Sequence, residues 1–176
     1  GDDTLDGGAN NDILKGGEGD DTLDGGDGID TVDYSNALDD LTIDLSVSNV
    51  ATTISASQGS DTFIDIEGAI GGSGDDIITG TTSTNILSGG FGDDTLLGNG
   101  TSADGGIDTL IGGEGSDFIS FNFTGANGVT VDLSNESTSQ NTGAGNVLLE
   151  SIENLEGSDG DDILIGNSDA NTLIGR

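Results

Sequence analysis

The sequence predicts an all-β chain built as a thin, repetitive solenoid. Three observations carry that prediction: a glycine-rich unit of nine residues recurs in one frame, each unit ends in a short strand with an apolar centre, and the composition cannot supply a thick core. Of 176 residues, 31% are hydrophobic and 33 are glycine, which is little apolar surface for a domain of this length. Charge sets a further demand. Thirty-four acidic residues face two basic ones, for a formal net charge of −32, and a compact state of that charge repels itself unless cations neutralise it. Low hydrophobicity with high net charge is also the signature of disorder, and it describes the state expected without cations. Proline is absent, however, and Leu, Ile and Val recur at fixed intervals, so something orders the chain.

The repeat is plainest where GGEGDDTLD (Gly16 to Asp24) runs directly into GGDGIDTVD (Gly25 to Asp33), the two agreeing at six of nine positions. The same frame holds GGANNDILK from Gly7, GGSGDDIIT from Gly71, GGFGDDTLL from Gly89, GGEGSDFIS from Gly112 and GSDGDDILI from Gly157. Degenerate copies start at Gly80 and Gly166 and place Asn85 and Asn171 at position six. The stretch ADGGIDTLI from Ala103 keeps only the end of a unit, and Gly1 falls inside one. A longer period lies above the first. Leu41 to Ser46 (LTIDLS) matches Val129 to Ser134 (VTVDLS) at an offset of 88, and Ile66-Glu67 matches Ile152-Glu153 at an offset of 86. This pattern is what tandem duplication leaves, and it predicts one continuous solenoid of two similar halves, about 1–88 and 89–176.

Within each unit the glycines at positions one, two and four are expected to allow positive φ and close backbone approach, so that six residues make a tight turn. Positions seven to nine form a very short strand. Its eighth residue is apolar throughout: Leu5, Leu14, Leu23, Val32, Ile78, Leu87, Leu96, Leu110, Ile119, Leu164 and Leu173. That column is the expected core. The segments Tyr34 to Ile70 and Phe121 to Glu156 lack the glycine frame but keep period-two alternation, with Leu41, Ile43 and Leu45 on one face and Thr42, Asp44 and Ser46 on the other, and read as further strands with longer loops. Position five, as in Asp20, is expected to face solvent and contribute little.

Position six supplies the chemistry. If alternate units stack on one side, neighbouring position-six carboxylates stand about 4.8 Å apart, a spacing at which bare carboxylates repel and an intervening cation reverses the sign. Carboxylates mixed with turn carbonyls are hard oxygen ligands, suited to Ca²⁺, and neither histidine nor cysteine is present to favour a transition metal. Binding would then supply the free energy that folds the turns, and the calcium-free chain is expected to be an expanded coil.

These residues resemble the hemolysin-type calcium-binding repeats, the repeats-in-toxin family, along most of the chain. The resemblance implies a right-handed parallel β-roll with two units per turn and several calcium ions between turns. It implies ligation by the aspartates Asp3, Asp12, Asp21, Asp30, Asp76, Asp94, Asp108, Asp117 and Asp162. Carbonyls of turn glycines would complete the shells: Gly8, Gly17, Gly19, Gly26, Gly28, Gly72, Gly74, Gly90, Gly92, Gly113 and Gly115. Asn85 and Asn171 depart from the pattern and mark weakened sites. The family is typically exported by type I secretion and folds outside the cell, which implies a secreted or cell-surface setting.

Other functions are disfavoured. With no histidine or cysteine, one tyrosine and one internal lysine, no nucleophile–base pair offers itself and nothing is placed to stabilise a developing anion, so the chain is not expected to be an enzyme. Nucleic acid needs a basic surface, and no apolar run is long enough to insert in a membrane. The expected role is a calcium-binding structural module. The alternatives are an accessory folding or secretion module of an exported enzyme or toxin, or a surface-layer, adhesin or filament segment in which copies stack end to end.

Overall fold

The structure, a computed structural model, describes residues 1–99, 106–122, 128–136 and 138–176. The opening of the Ala103 unit lies outside them. The described residues contain no helix, and their strands are short, most confined to positions seven to nine, although those at Thr4–Ala9, Thr22–Asp27, Ile86–Phe91 and Ile107–Glu114 run on into positions one to three of the next unit. In chain order the strands are β1 (Thr4–Ala9), β2 (Ile13–Leu14), β3 (Thr22–Asp27), β4 (Thr31–Asp33), β5 (Thr42–Asp44), β6 (Ala51–Ser55), β7 (Gly59–Ile64), β8 (Gly68–Ile70), β9 (Ile77–Thr79) and β10 (Ile86–Phe91). They continue as β11 (Thr95–Leu97), β12 (Ile107–Glu114), β13 (Phe118–Ser120), β14 (Thr130–Asp132), β15 (Gln140–Asn141), β16 (Asn146–Glu150), β17 (Asn154–Glu156), β18 (Ile163–Ile165) and β19 (Leu173–Ile174).

The pairing is that of a parallel β-roll. Thr4 lies beside Thr22, Ile13 beside Thr31 and Ile77 beside Thr95, two units further along in each case, so successive strands alternate between facing sheets. The first sheet has the order β1-β3-β7-β6 and the second β15-β16-β12-β10-β8-β4-β2; the third runs β19-β17-β13-β11-β9-β5, and β14 pairs with β18 in a fourth. Only β6–β7 and β15–β16 are antiparallel among these pairs.

The two alternating segments change which sheets the roll uses. Before Tyr34 the chain alternates between the first and second sheets. The first segment opens the third sheet with β5 and ends the first sheet with the antiparallel β6–β7 pair; the chain then alternates between the second and third. The second segment opens the fourth sheet with β14 and ends the second with β15–β16. The period-two reading of Leu41 to Ser46 holds, with Leu41, Ile43 and Leu45 buried.

The position-eight column is the core. Leu14, Leu23, Val32, Ile78, Leu87, Leu96, Leu110 and Ile119 are buried, joined from the segments by Phe63, Ala69, Val131, Leu149 and Leu155. Leu5 and Leu164 are only partly buried. Leu173, expected in the column, is 42% exposed.

Candidate functional site

Position-six side chains form ladders up the roll. The Oδ1 of each accepts the backbone N–H of the position-six residue one turn earlier: Asp21 from Asp3 (2.7 Å), Asp30 from Asp12 (2.7 Å), Asp94 from Asp76 (2.8 Å), Asp117 from Asp94 (2.8 Å) and Asp108 from Asn85 (2.9 Å). At the sheet openings Asp76 accepts from Leu41 and Asp162 from Val129, each at 2.8 Å. Each rung ties two turns together through one carboxylate oxygen.

The second oxygen is the exceptional feature. The Oδ2 atoms of Asp12, Asp21, Asp30, Asp94, Asp117 and Asp162 are buried and have no hydrogen-bond partner among the described residues. A buried carboxylate oxygen without a partner carries its full desolvation cost. The two basic residues offer no relief, since Lys15 pairs with Asp33 (3.0 Å) and Arg176 with Glu156 (2.9 Å), outside the ladders. Burial pushes the Asp94 carboxyl up to about 7, its backbone hydrogen bond only partly opposing this, with Asp76, Asp117 and Asp75 adding repulsion. Burial likewise pushes Asp117 up to about 6, with Glu153 and Asp93 adding to it. Six orphaned acceptors, like charges close by and no protein cation at hand fit an oxygen-seeking metal ion. No three His, Cys, Asp or Glu side chains converge among the described residues, so any ion must take backbone carbonyls as well, which is how a hard cation is held.

Position-one glycines make room for this oxygen. A Cβ on Gly16, Gly89 or Gly157 would run into the carboxylate of Asp21, Asp94 or Asp162. Their φ values are not positive, so the expectation that position one needs unusual backbone is corrected: the constraint there is space. Positive φ belongs to positions two and four in part, as at Gly113 (127°) and Gly115 (152°). The carbonyl beside the carboxylate also differs from expectation. The Gly25 carbonyl stands with Asp12 Oδ2, each 2.9 Å from where a Cβ on Gly7 would be, so position one of the following turn supplies it. Carbonyls at positions two and four, such as Gly8, Gly72, Gly74, Gly90 and Gly92, lie under the glycine of the next turn.

Other turns are closed by the protein itself. The Asn85 amide donates to the carbonyls of Thr81 (3.0 Å), Ser83 (2.6 Å) and Gly98 (3.2 Å), while its Oδ1 accepts the Thr81 N–H (2.8 Å). Asn171 donates to the Glu153 carbonyl (2.8 Å) and accepts from Asn167 (2.9 Å). Asp76, an expected ligand, has its Oδ2 engaged by the Gly72 N–H (2.7 Å), and Asp3 is exposed.

Three further carboxylates belong to the ladders. Asp61, Glu67 and Glu153 immediately precede Thr62, Gly68 and Asn154, the partners of position-seven residues Thr22, Thr31 and Phe118, and they accept the N–H of Asp21 (2.9 Å), Asp30 (3.1 Å) and Asp117 (2.9 Å). The second Asp61 oxygen takes the Tyr34 hydroxyl, a buried contact that closes this rung. The signal for Asp61 was present: Gly59-Ser60-Asp61-Thr62-Phe63 repeats Gly19-Asp20-Asp21-Thr22-Leu23, keeping the glycine at position four but not those at positions one and two. A second ladder runs through position five. Asp2 accepts from Asp20 (3.1 Å), Asp20 from Ser60 (2.9 Å), Asp75 from Asp93 (2.9 Å) and Asp93 from Ser116 (2.9 Å). Asp20 is exposed as expected, but it is not idle.

Fold and site together define a parallel β-roll whose turns carry stacked, half-satisfied carboxylates. A family model for the RTX calcium-binding nonapeptide repeat matches in four copies, at residues 1–32, 70–101, 102–121 and 150–176, and the chain belongs to that family. It is a calcium-binding module. Comparison with curated proteins gave no match.

Proposed function

We propose that the chain is a calcium-dependent structural module of a secreted or cell-surface protein, one continuous roll of two duplicated halves that folds as it takes up calcium outside the cell. The carrying observation is the set of orphaned, buried Oδ2 atoms at Asp12, Asp21, Asp30, Asp94, Asp117 and Asp162. These six, with neighbouring turn carbonyls, are the primary ligands. Asp76 comes second, since binding there must release the Gly72 N–H, as does the exposed Asp3; Asp108 lies in the rung of the Asn85 turn.

The ion supplies positive charge where the fold has none and fills acceptors that water cannot reach. Because the unfolded chain has no preformed site, binding free energy becomes folding free energy. Extracellular calcium modules work at about 10⁻⁴–10⁻³ M, so such a chain stays unfolded in calcium-poor cytosol and folds on export. A catalytic role has no support: the bare carboxylates face backbone inside tight turns. No helix among the described residues is long and apolar enough to cross a membrane.

Circular dichroism of a chelator-stripped sample titrated with calcium, and separately with magnesium, tests this reading. A cooperative gain of β signal with calcium and not with equimolar magnesium is expected. A chain equally folded without metal would overturn it.

A further inference from the structure

The alternating segments lack the glycine frame, yet each inserts one rung into a carboxylate ladder. Asp30 and Asp117 are wholly buried, with Oδ2 unpartnered among the described residues. In an ordinary turn the carbonyl beside such an oxygen comes from position one of the unit stacked one turn on, and that unit's own carboxylate follows five residues later, as with Gly25 and Asp30 beside Asp12. Here the following turn is compressed. Beside Asp30 stands the Asp65 carbonyl and beside Asp117 the Ser151 carbonyl, and the carboxylate follows after only two residues, at Glu67 and Glu153.

Two details make the short turn equivalent to the long one. Asp65 (φ 47°) and Ser151 (φ 52°) adopt the left-handed region without being glycine, a conformation kept only where the surroundings enforce it, and it turns the chain back within one residue. Glutamate has one methylene more than aspartate, and so recovers reach that the missing residues would have given. Both glutamates sit at the position-six register and accept the same N–H as an aspartate would, from Asp30 at 3.1 Å and Asp117 at 2.9 Å. The same pair of carbonyl and carboxylate thus arises twice, 86 residues apart.

We propose that Glu67 and Glu153 are calcium ligands, each closing a compact site with the Asp30 or Asp117 carboxylate and the Asp65 or Ser151 carbonyl. This rests on the reading that the bare aspartates hold calcium. The alternating segments then carry the row of ions across the place where the roll exchanges one sheet for another.

The test counts calcium bound to the 176-residue chain by native mass spectrometry, with affinities from calorimetry. Glu67→Gln and Glu153→Gln keep an acceptor for the Asp30 and Asp117 N–H groups; each is expected to lose one ion, or to weaken one site at least tenfold, and the double variant two. The exposed controls Glu114→Gln and Glu150→Gln should lose none. Full count and affinity in the double variant would overturn the proposal while leaving the aspartate sites standing, whereas a wild-type chain that binds no calcium would overturn both. If Glu67→Gln does not fold, Glu67→Asp decides: it keeps the charge but not the reach, so a weakened single site supports the proposal and an unchanged one refutes it.

Discussion

Two consecutive turns, 80–85 and 89–94, share frame, length and place before a strand, and at position six their side chains differ in one atom, Asn85 against Asp94. In the first, the Asn85 amide nitrogen donates to three carbonyls and completes the turn from within. In the second, Asp94 has no such donor, and its Oδ2, the atom beside Gly89, is left bare. An amide hydrogen and a cation answer the same need, positive charge at converging carbonyls. The Asn85 turn therefore stands alone, while the Asp94 turn carries an unmet demand. On the proposed reading, dependence on metal varies from turn to turn with the position-six side chain and the hydrogen bonds its atoms find.

The largest effect should come from removing the demanding group. Asp94→Ala abolishes one site and cuts the rung to Asp76, so the calcium midpoint for folding should rise about a hundredfold, the upper end of what lost ligand-sphere contacts produce, and one ion should be missing by mass spectrometry. Next comes the space around that group. Gly89→Ala drives a methyl into the Asp94 carboxylate and should cost about 1–3 kcal/mol, as overpacking does, in denaturation at saturating calcium. Gly8→Ala meets open space and should cost about 1 kcal/mol for its positive φ alone.

Exchanging the two turns sharpens the comparison. Asn85→Asp should convert a self-contained turn into a metal-requiring one, adding one bound ion and making stability more calcium-dependent; an unchanged count would break the equivalence of amide and ion. Protons should imitate the ion in part. In the folded chain without calcium, burial raises Asp94 to about 7 and Asp117 to about 6, above their unfolded values near 4. The folded state then holds more protons than the unfolded one between about pH 4 and 7, and stability falls as pH rises through that window. Chelator-treated protein should gain β signal on acidification from pH 8 to 5, whereas calcium-saturated protein should change little between pH 7 and 8. The smallest effect belongs to position five: Asp20→Ala loses one exposed rung and should cost about 1 kcal/mol or less.

Much of this was legible in the sequence because it is local. The nine-residue frame fixed the turns, position eight fixed most of the core, and position six pointed to the aspartates that prove to be buried and half-satisfied. The rest depends on register across distant turns. Glu67 and Glu153 were visible as a matched pair, but their equivalence to position-six aspartates appears only when Gly68 is seen beside Thr31 and Asn154 beside Phe118. The exchange of sheets at β5 and β14, the Tyr34–Asp61 closure and the position-five ladder join residues that no short spacing links. Position-one glycine misled because a glycine needed for space and one needed for φ look alike in sequence.

The most direct test of the account is a crystal structure grown in calcium, with ions located by anomalous scattering. It predicts peaks against the Oδ2 atoms of Asp12, Asp21, Asp30, Asp94, Asp117 and Asp162 and none within the Asn85 turn. Ions in the Asn85 turn, or none beside those six oxygens, would contradict it.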